Sequence, residues 1–250
     1  MRIWWQDPTP KQPWMDKYHG WIKEAAGLVC EADNVVDIYS LQEGYPSPTP
    51  SYPHLYNSLQ IVKSIRRAEE QGYDAVVLGC MLQGGLKEAR SIVDIPVVGA
   101  FESAAWLAAT LGQKFSVLVT DRSVKHVAEE LVEQYGLERR VASIRCLEGG
   151  TFKMMMNETE SYIQVVSTAI KRFSEEDGAE AVIPFCTITG ALLASRKLLN
   201  SFGIPIAEPV CASLKMAEAM SKLSKSFNLS VCRKSVYMKP PKSFLDKIPL

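Results

Sequence analysis

Two cysteines of this chain occupy the same place in two related stretches of sequence. Residues Gly72–Leu86 (GYDAVVLGCMLQGGL) align without gaps on Gly178–Leu192 (GAEAVIPFCTITGAL) at an offset of 106. Six of the fifteen columns are identical, where unrelated sequence of this composition gives roughly one. Cys80 over Cys186 is among them. The match resumes at Arg90 and Arg196, and a three-residue insertion sets Asp94-Ile-Pro-Val-Val over Gly203-Ile-Pro-Ile-Ala. Tandem α/β units share glycines, alanines and valines for structural reasons alone, but a shared cysteine has no such explanation.

A pair of equivalent thiols suits one kind of chemistry. Inverting a carbon stereocentre needs a base on one face and an acid on the other, with the roles exchanged for the opposite enantiomer. Two cysteines meet that need without a metal, flavin or pyridoxal, and each well-placed proton-transfer group contributes roughly 10²–10⁴ in rate. A free thiol near pKa 8.5 is only a few per cent thiolate at pH 7, so the site must favour the anion. A single cysteine is more often a small buried hydrophobe. Two at equivalent positions point to catalysis. Cys30, Cys146, Cys211 and Cys232 lack such symmetry and read as packing.

The elements that must position the thiols follow from hydrophobic pattern. Short apolar runs predict strands at Arg2–Trp5, Val35–Tyr39, Ala75–Leu78, Ile95–Val98, Phe115–Val119, Ala142–Arg145, Ala181–Pro184 and Ile204–Ile206. Longer helical stretches alternate with them, and Gly72, Gly112, Gly136, Gly178 and Gly203 mark helix ends. Runs apolar throughout are buried on both faces, as in parallel sheets covered by helices. The expected fold is therefore α/β, with two similar lobes, each a parallel sheet flanked by helices. A pseudo-twofold would relate them, with the active site in the cleft between. Residues 1–99 plus 211–250 form the expected first lobe and 100–210 the second. Each cysteine closes a strand before a turn into a helix, where ligands of open parallel sheets bind and where a helix start favours a thiolate.

Composition bounds the partners. The 250 residues carry 28 Lys plus Arg against 28 Asp plus Glu, so no basic excess invites nucleic acid. Neither a signal peptide nor an apolar run of membrane length is read from the sequence, and the expected compartment is the cytoplasm. There the six cysteines stay reduced. No CxxC or Cys/His cluster suggests a metal. The expected partner is a small molecule rather than a nucleic acid or a membrane, and the chain is expected to form a homo-oligomer.

The segments Ala75-Val-Val-Leu-Gly-Cys80, Asp94-Ile-Pro-Val-Val-Gly-Ala-Phe-Glu102, Phe115-Ser-Val-Leu-Val-Thr120, Gly178-Ala-Glu-Ala-Val-Ile-Pro-Phe-Cys186 and Gly203-Ile-Pro-Ile resemble the aspartate/glutamate/hydantoin racemase superfamily, most nearly its hydantoin and allantoin racemases. The resemblance covers most of residues 1–220. It implies a cofactor-independent isomerase with Cys80 and Cys186 as the catalytic pair. Where hydantoin racemases carry Asn-Pro-Asn-Thr after the first strand, this chain has Asp7-Pro8-Thr9-Pro10, so the resemblance implies substrate contacts at Asp7 and Thr9, with Asp7 altering the preference. The proline-rich stretch Gly44–Pro53 is unusually long, and the segment after Ser230 is not covered.

Thr120, Ser123 and Thr187 at strand-to-helix turns could hydrogen-bond a carboxylate or imide, although helix capping suits them equally. Gln83 could do the same or stand as a turn residue. The leading expectation is racemisation or epimerisation of a hydantoin-like or amino-acid-like carbon acid. The same fold could instead support thiol addition, as in maleate isomerase, or protonation after decarboxylation, as in arylmalonate decarboxylase. A non-catalytic two-lobed binder is the remaining alternative.

Overall fold

A computed structural model describes residues 1–245 and Lys247; residues 246 and 248–250, the last of the expected first lobe, lie outside the described residues. The chain forms two compact units, one of 1–12, 29–99 and 213–250, the other of 13–28 and 100–212. Pro13–Leu28, expected in the first lobe, belongs to the second unit. Helix α1 (Met15–Val29) is held there by Tyr18 Oη donating to Thr187 Oγ1 at 2.9 Å and by Lys17 Nζ donating to Met156 O at 2.7 Å.

The first unit carries a four-stranded parallel sheet in the order β2-β1-β3-β4. Its strands are β1 (Arg2–Pro10), β2 (Val35–Leu41), β3 (Ala75–Leu78) and β4 (Val97–Gly99). Helices α2 (Ser51–Glu70) and α3 (Leu86–Ile92) cover one face, packing Ile61, Ile65, Ala68, Leu86 and Ala89 on Trp4, Val76, Leu78 and Val97. The second unit has β5 (Phe115–Val119), β6 (Val141–Cys146) and β7 (Ala181–Pro184), parallel and in the order β6-β5-β7. Its helices are α4 (Ala100–Leu111), α5 (Lys125–Gln134), α6 (Phe152–Asn157), α7 (Thr159–Asp177) and α8 (Thr187–Ser195), while α9 (Pro209–Phe227) divides between the units. A short final helix, α10, spans Lys242–Leu245.

Register ties the repeat to the sheets. Val76 pairs with Val97, and at the repeat offset Val182 pairs with Ile206. The predicted strand Ile204–Ile206 is reduced to that one bridge, in the place of β4. The ladders also end alike, with Gly79 N donating to Gln6 O at 2.9 Å and Phe185 N to Leu118 O at 2.8 Å. β3, β5 and β7 lie as expected because they are buried throughout.

Packing next to the two cysteines is exchanged between neighbouring strands. Trp5, fully buried, packs its indole on Gly79, where a Cβ would lie 2.5 Å from Cε2. Trp5 pairs with Val77 as Val117 pairs with Ile183, and Phe185 replaces Gly79. Large side chain and small residue have traded strands.

The chain after α9 is fastened to the first unit. Arg233 donates to Arg90 O, Val93 O and the Asp94 carboxylate, and Lys239 joins Asp94 at 2.7 Å. These cations hold the Asp94 carboxyl below its usual range.

Gly79→Phe should destabilise the protein by about 1–3 kcal/mol or more through overpacking. Adding Trp5→Val, which copies the second unit, should recover part of that loss in urea denaturation. No recovery would show that the two packings are not interchangeable.

Candidate active site

Cys80 and Cys186 each follow the last ladder hydrogen bond of the strand beside β1 or β5. Both are half-buried, and none of the six cysteines is in a disulfide. Their local structures differ. Cys186 is extended (φ −162°, ψ 118°) and is the N-cap of α8, so the turn expected at Thr187–Gly190 is already helix. Gly190 N donates to Cys186 O at 2.9 Å, closing the first turn. Cys186 thus lies at the positive end of the α8 dipole.

Cys80 has no such helix directly behind it. Residues Met81–Gly85 form an irregular turn before α3, with Gln83 at φ 53° and Gly85 at φ 80°. The expectation of a helix start beside both thiols therefore holds only for Cys186. Two left-handed residues, Gln83 and Gly85, break the helical path here. Gly85 adopts the left-handed conformation open to glycine, whereas its repeat partner Ala191 continues the helix. A Cβ on Gly85 would also lie 2.9 Å from Ser58 O.

The other expected site residues fall on both units. Strand β1 runs on to Pro10 instead of ending at Trp5, so Asp7 and Thr9 lie within it and are buried. Register breaks between Gln6 opposite Tyr39 and Pro10 opposite Leu41, which leaves Asp7-Pro8-Thr9 as a bulge against Ser40. Prolines are tolerated at such a break because the ladder needs no N–H from them. Ser40 Oγ donates to Asp7 Oδ2 at 2.8 Å. Gln83 is nearly buried, its amide packed on Gly99.

In the second unit Thr120 is half-buried directly after β5. Ser123 is exposed and sits in a capping turn, its N and Oγ both donating to Asp121 Oδ1 at 2.9 and 2.7 Å. Thr187 opens α8, nearly buried, and accepts from Tyr18.

Three residues near Cys186 were missed by sequence reasoning. Tyr162 Oη lies 2.8 Å from Thr189 Oγ1, and both residues are buried. Burial, and next the negative charge available to Cys186, push the Tyr162 hydroxyl well above its ordinary range. It therefore stays protonated, a neutral dipole beside the thiol. Tyr18 plays the matching part on Thr187. Thr189 was legible in the repeat, since it stands over Gln83 and both are buried.

A groove of about 710 Å³ in the second unit lies between β6, α5 and α7, lined by Arg145, Cys146 and Arg172 among others. It lies by Cys146, not by either site cysteine. Arg145 and Arg172 are both bonded to Glu176, whose carboxyl they hold at about 2. Among the described residues no three His, Cys, Asp or Glu side chains come together as a metal site requires, and no helix is long and apolar enough to cross a membrane.

Residues 18–217 match the family model described as Asp/Glu/Hydantoin racemase. The chain belongs to this family. It is 34% identical over 205 residues to a hydantoin racemase of Pseudomonas sp. (strain NS671), covering 82% of this chain and 81% of that protein. A hydantoin racemase of Rhizobium meliloti is 32% identical, over 76% of this chain and 75% of that protein. The fold is shared with an allantoin racemase from Klebsiella pneumoniae, at a TM-score of 0.83 and 23% identity, over 97% and 94% of the two chains. The enzyme is thus an isomerase of the racemase family.

Cys30 provides an internal reference for thiol measurements. Burial, then the nearby Glu218 carboxylate, push its thiol up to about 11, so it stays protonated and unreactive until the pH approaches that value. Iodoacetamide should leave Cys30 almost unmodified at pH 8 while exposed Cys232 reacts, with a Cys30 midpoint near 11 by peptide mass spectrometry. Alkylation of Cys30 with an ordinary thiol midpoint would contradict this.

Proposed function

We propose that this racemase inverts a carbon stereocentre of a small hydantoin-like or amino-acid-like substrate by proton transfer between two thiols, Cys80 and Cys186. The observation that carries the reading is the equivalence of the two cysteines. Each stands one residue beyond the last ladder bond of the corresponding strand in two parallel sheets of like order, in a chain of a racemase family. One thiolate removes the proton from the stereocentre, and the opposite thiol returns a proton to the other face. The carbanion's charge spreads onto the adjoining carbonyl. Polar groups of Asp7, Thr9, Gln83, Thr120, Ser123 and Thr187 are the proposed substrate contacts, and helix-start N–H groups suit the enolate charge. The chemistry uses no cofactor. Thiols that work as acid and base must stay reduced, as they do in the cytoplasm.

Turnover of a 5-substituted hydantoin in D₂O, followed by polarimetry and mass, tests this reading. Deuterium should enter the stereocentre during inversion, and retention of the original hydrogen would exclude it. Cys80→Ser and Cys186→Ser should each lower racemisation by roughly 10²–10⁴, while one enantiomer can still exchange its proton on each variant. A covalent substrate–thiol adduct would indicate addition chemistry instead.

The enzyme is also proposed to self-associate. On α2, Tyr52, Leu55, Tyr56 and Leu59 are exposed at i, i+3, i+4 and i+7, and Ser51–Val62 contains no Lys, Arg, Asp or Glu. A second copy, presenting the same apolar stripe, matches it without leaving a charge buried. Leu55→Glu with Leu59→Glu should lower the mass measured by light scattering after gel filtration; an unchanged mass would place self-association elsewhere, and a monomeric parent would end the proposal.

A further inference from the structure

Asn57 joins three segments of the first unit and is almost fully buried, at 1% exposure. Its Nδ2 donates to Pro8 O at 3.0 Å and to Tyr45 O at 2.9 Å, and its Oδ1 accepts from Tyr45 N at 2.8 Å. Pro8 is the middle residue of the β1 bulge. Tyr45 begins the proline-rich loop that joins β2 to α2. Gly44, at φ 152°, lies close against the amide, where a Cβ would stand 2.7 Å from Oδ1.

The loop is fastened at two further points. Gln12 Nε2 donates to Pro46 O at 2.9 Å, and His54 Nδ1 lies 3.1 Å from Pro48 O. Pro46, Pro48 and Pro50 preset its backbone, so it is a stiff segment. The same turn of α2 braces the chain after Cys80. Gly84 lies against Ser58 Oγ and the His54 ring, where a Cβ would stand 2.8 Å from Cε1. A buried amide with its hydrogen bonds made on both sides is costly to disturb, because any lost partner leaves a desolvated group behind. Bulges, for their part, re-aim the side chains they carry.

We propose that Asn57 is a positioning residue: it locks the Asp7-Pro8-Thr9 bulge to the Gly44–Pro50 loop, and the loop thereby becomes a fixed wall that selects substrates by the bulk of the group on the stereocentre. This rests on the racemase reading and on Asp7 and Thr9 as substrate contacts. The wall acts on binding and leaves the proton transfers to the cysteines.

The test compares the enzyme with Asn57→Asp and Asn57→Ala, using 5-methylhydantoin and 5-benzylhydantoin as probes. Asn57→Asp keeps size and shape but sets a carboxylate oxygen against Pro8 O and Tyr45 O. KM for the benzyl compound should change about tenfold relative to the methyl compound, the scale of one lost hydrogen bond, with kcat altered less than about threefold. Equal changes for both probes, or a fall in kcat alone, would overturn the proposal. Hydrogen–deuterium exchange supplies a readout free of turnover: in Asn57→Ala, residues 6–10 and 43–50 should lose protection together while the second unit is unchanged. Loss in only one of those segments, or in neither, would also overturn it. If the parent enzyme racemises neither hydantoin, the hydantoin reading fails, and the exchange experiment still decides whether Asn57 couples bulge and loop.

Discussion

A parallel strand hydrogen-bonded on both sides releases its chain only where the ladder stops. That release point governs the candidate site. Gly79 N and Phe185 N make the last ladder bonds, and the next residue in each unit is a cysteine. The backbone before each thiol is held by a sheet buried on both faces, while the backbone after it is free to turn. A reactive side chain at this point combines a rigid base with an open end, as ligand sites beyond the carboxyl ends of parallel strands require.

Beyond that point the two units diverge. After Cys186 the chain enters α8 at once, and Tyr18 and Tyr162 hold the first-turn threonines by their hydroxyls. After Cys80 it makes an irregular turn through Gln83 and Gly85, braced from outside by His54 and Ser58 of α2. One thiol is backed by a helix start and buried hydroxyls, the other by a glycine turn and a neighbouring helix. The likeness of the two cysteines therefore rests on their position at the ladder's end, not on matching surroundings. The exchange of Trp5 and Gly79 for Val117 and Phe185 belongs to the same pattern, in which one large aromatic side chain is kept while the strand that supplies it changes.

The buried polar groups carry the remaining order in the first unit. Burying an amide or carboxylate is unfavourable unless its partners are present, so Asn57 and Asp7 specify an arrangement more than they add stability. Asn57 ties a bulged strand and a proline-rich loop to a helix through hydrogen bonds, beside the apolar packing of that helix on Trp4. The same helix holds bulge and loop through Asn57 on one side and leaves Tyr52, Leu55, Tyr56 and Leu59 exposed on the other.

The pattern of residues alone determined the alternation of elements, the strands β3, β5 and β7, and the pairing of Cys80 with Cys186. These features are local or repeated: apolar runs show as buried strands, and an aligned cysteine shows as an identity. The extension of β1 through Pro8 and Pro10 was hidden because two prolines look like a strand's end, and only the bulge opposite Ser40 lets them stay in the sheet. The early start of α8 was hidden behind Thr187, Ile188 and Thr189, whose branched side chains weaken a helix until tertiary contacts hold it. Asn57, Tyr18 and Tyr162 emerged only in three dimensions. Their partners lie far along the chain, and what makes them matter is burial beside those partners, a property of the packed structure that no short window of sequence encodes.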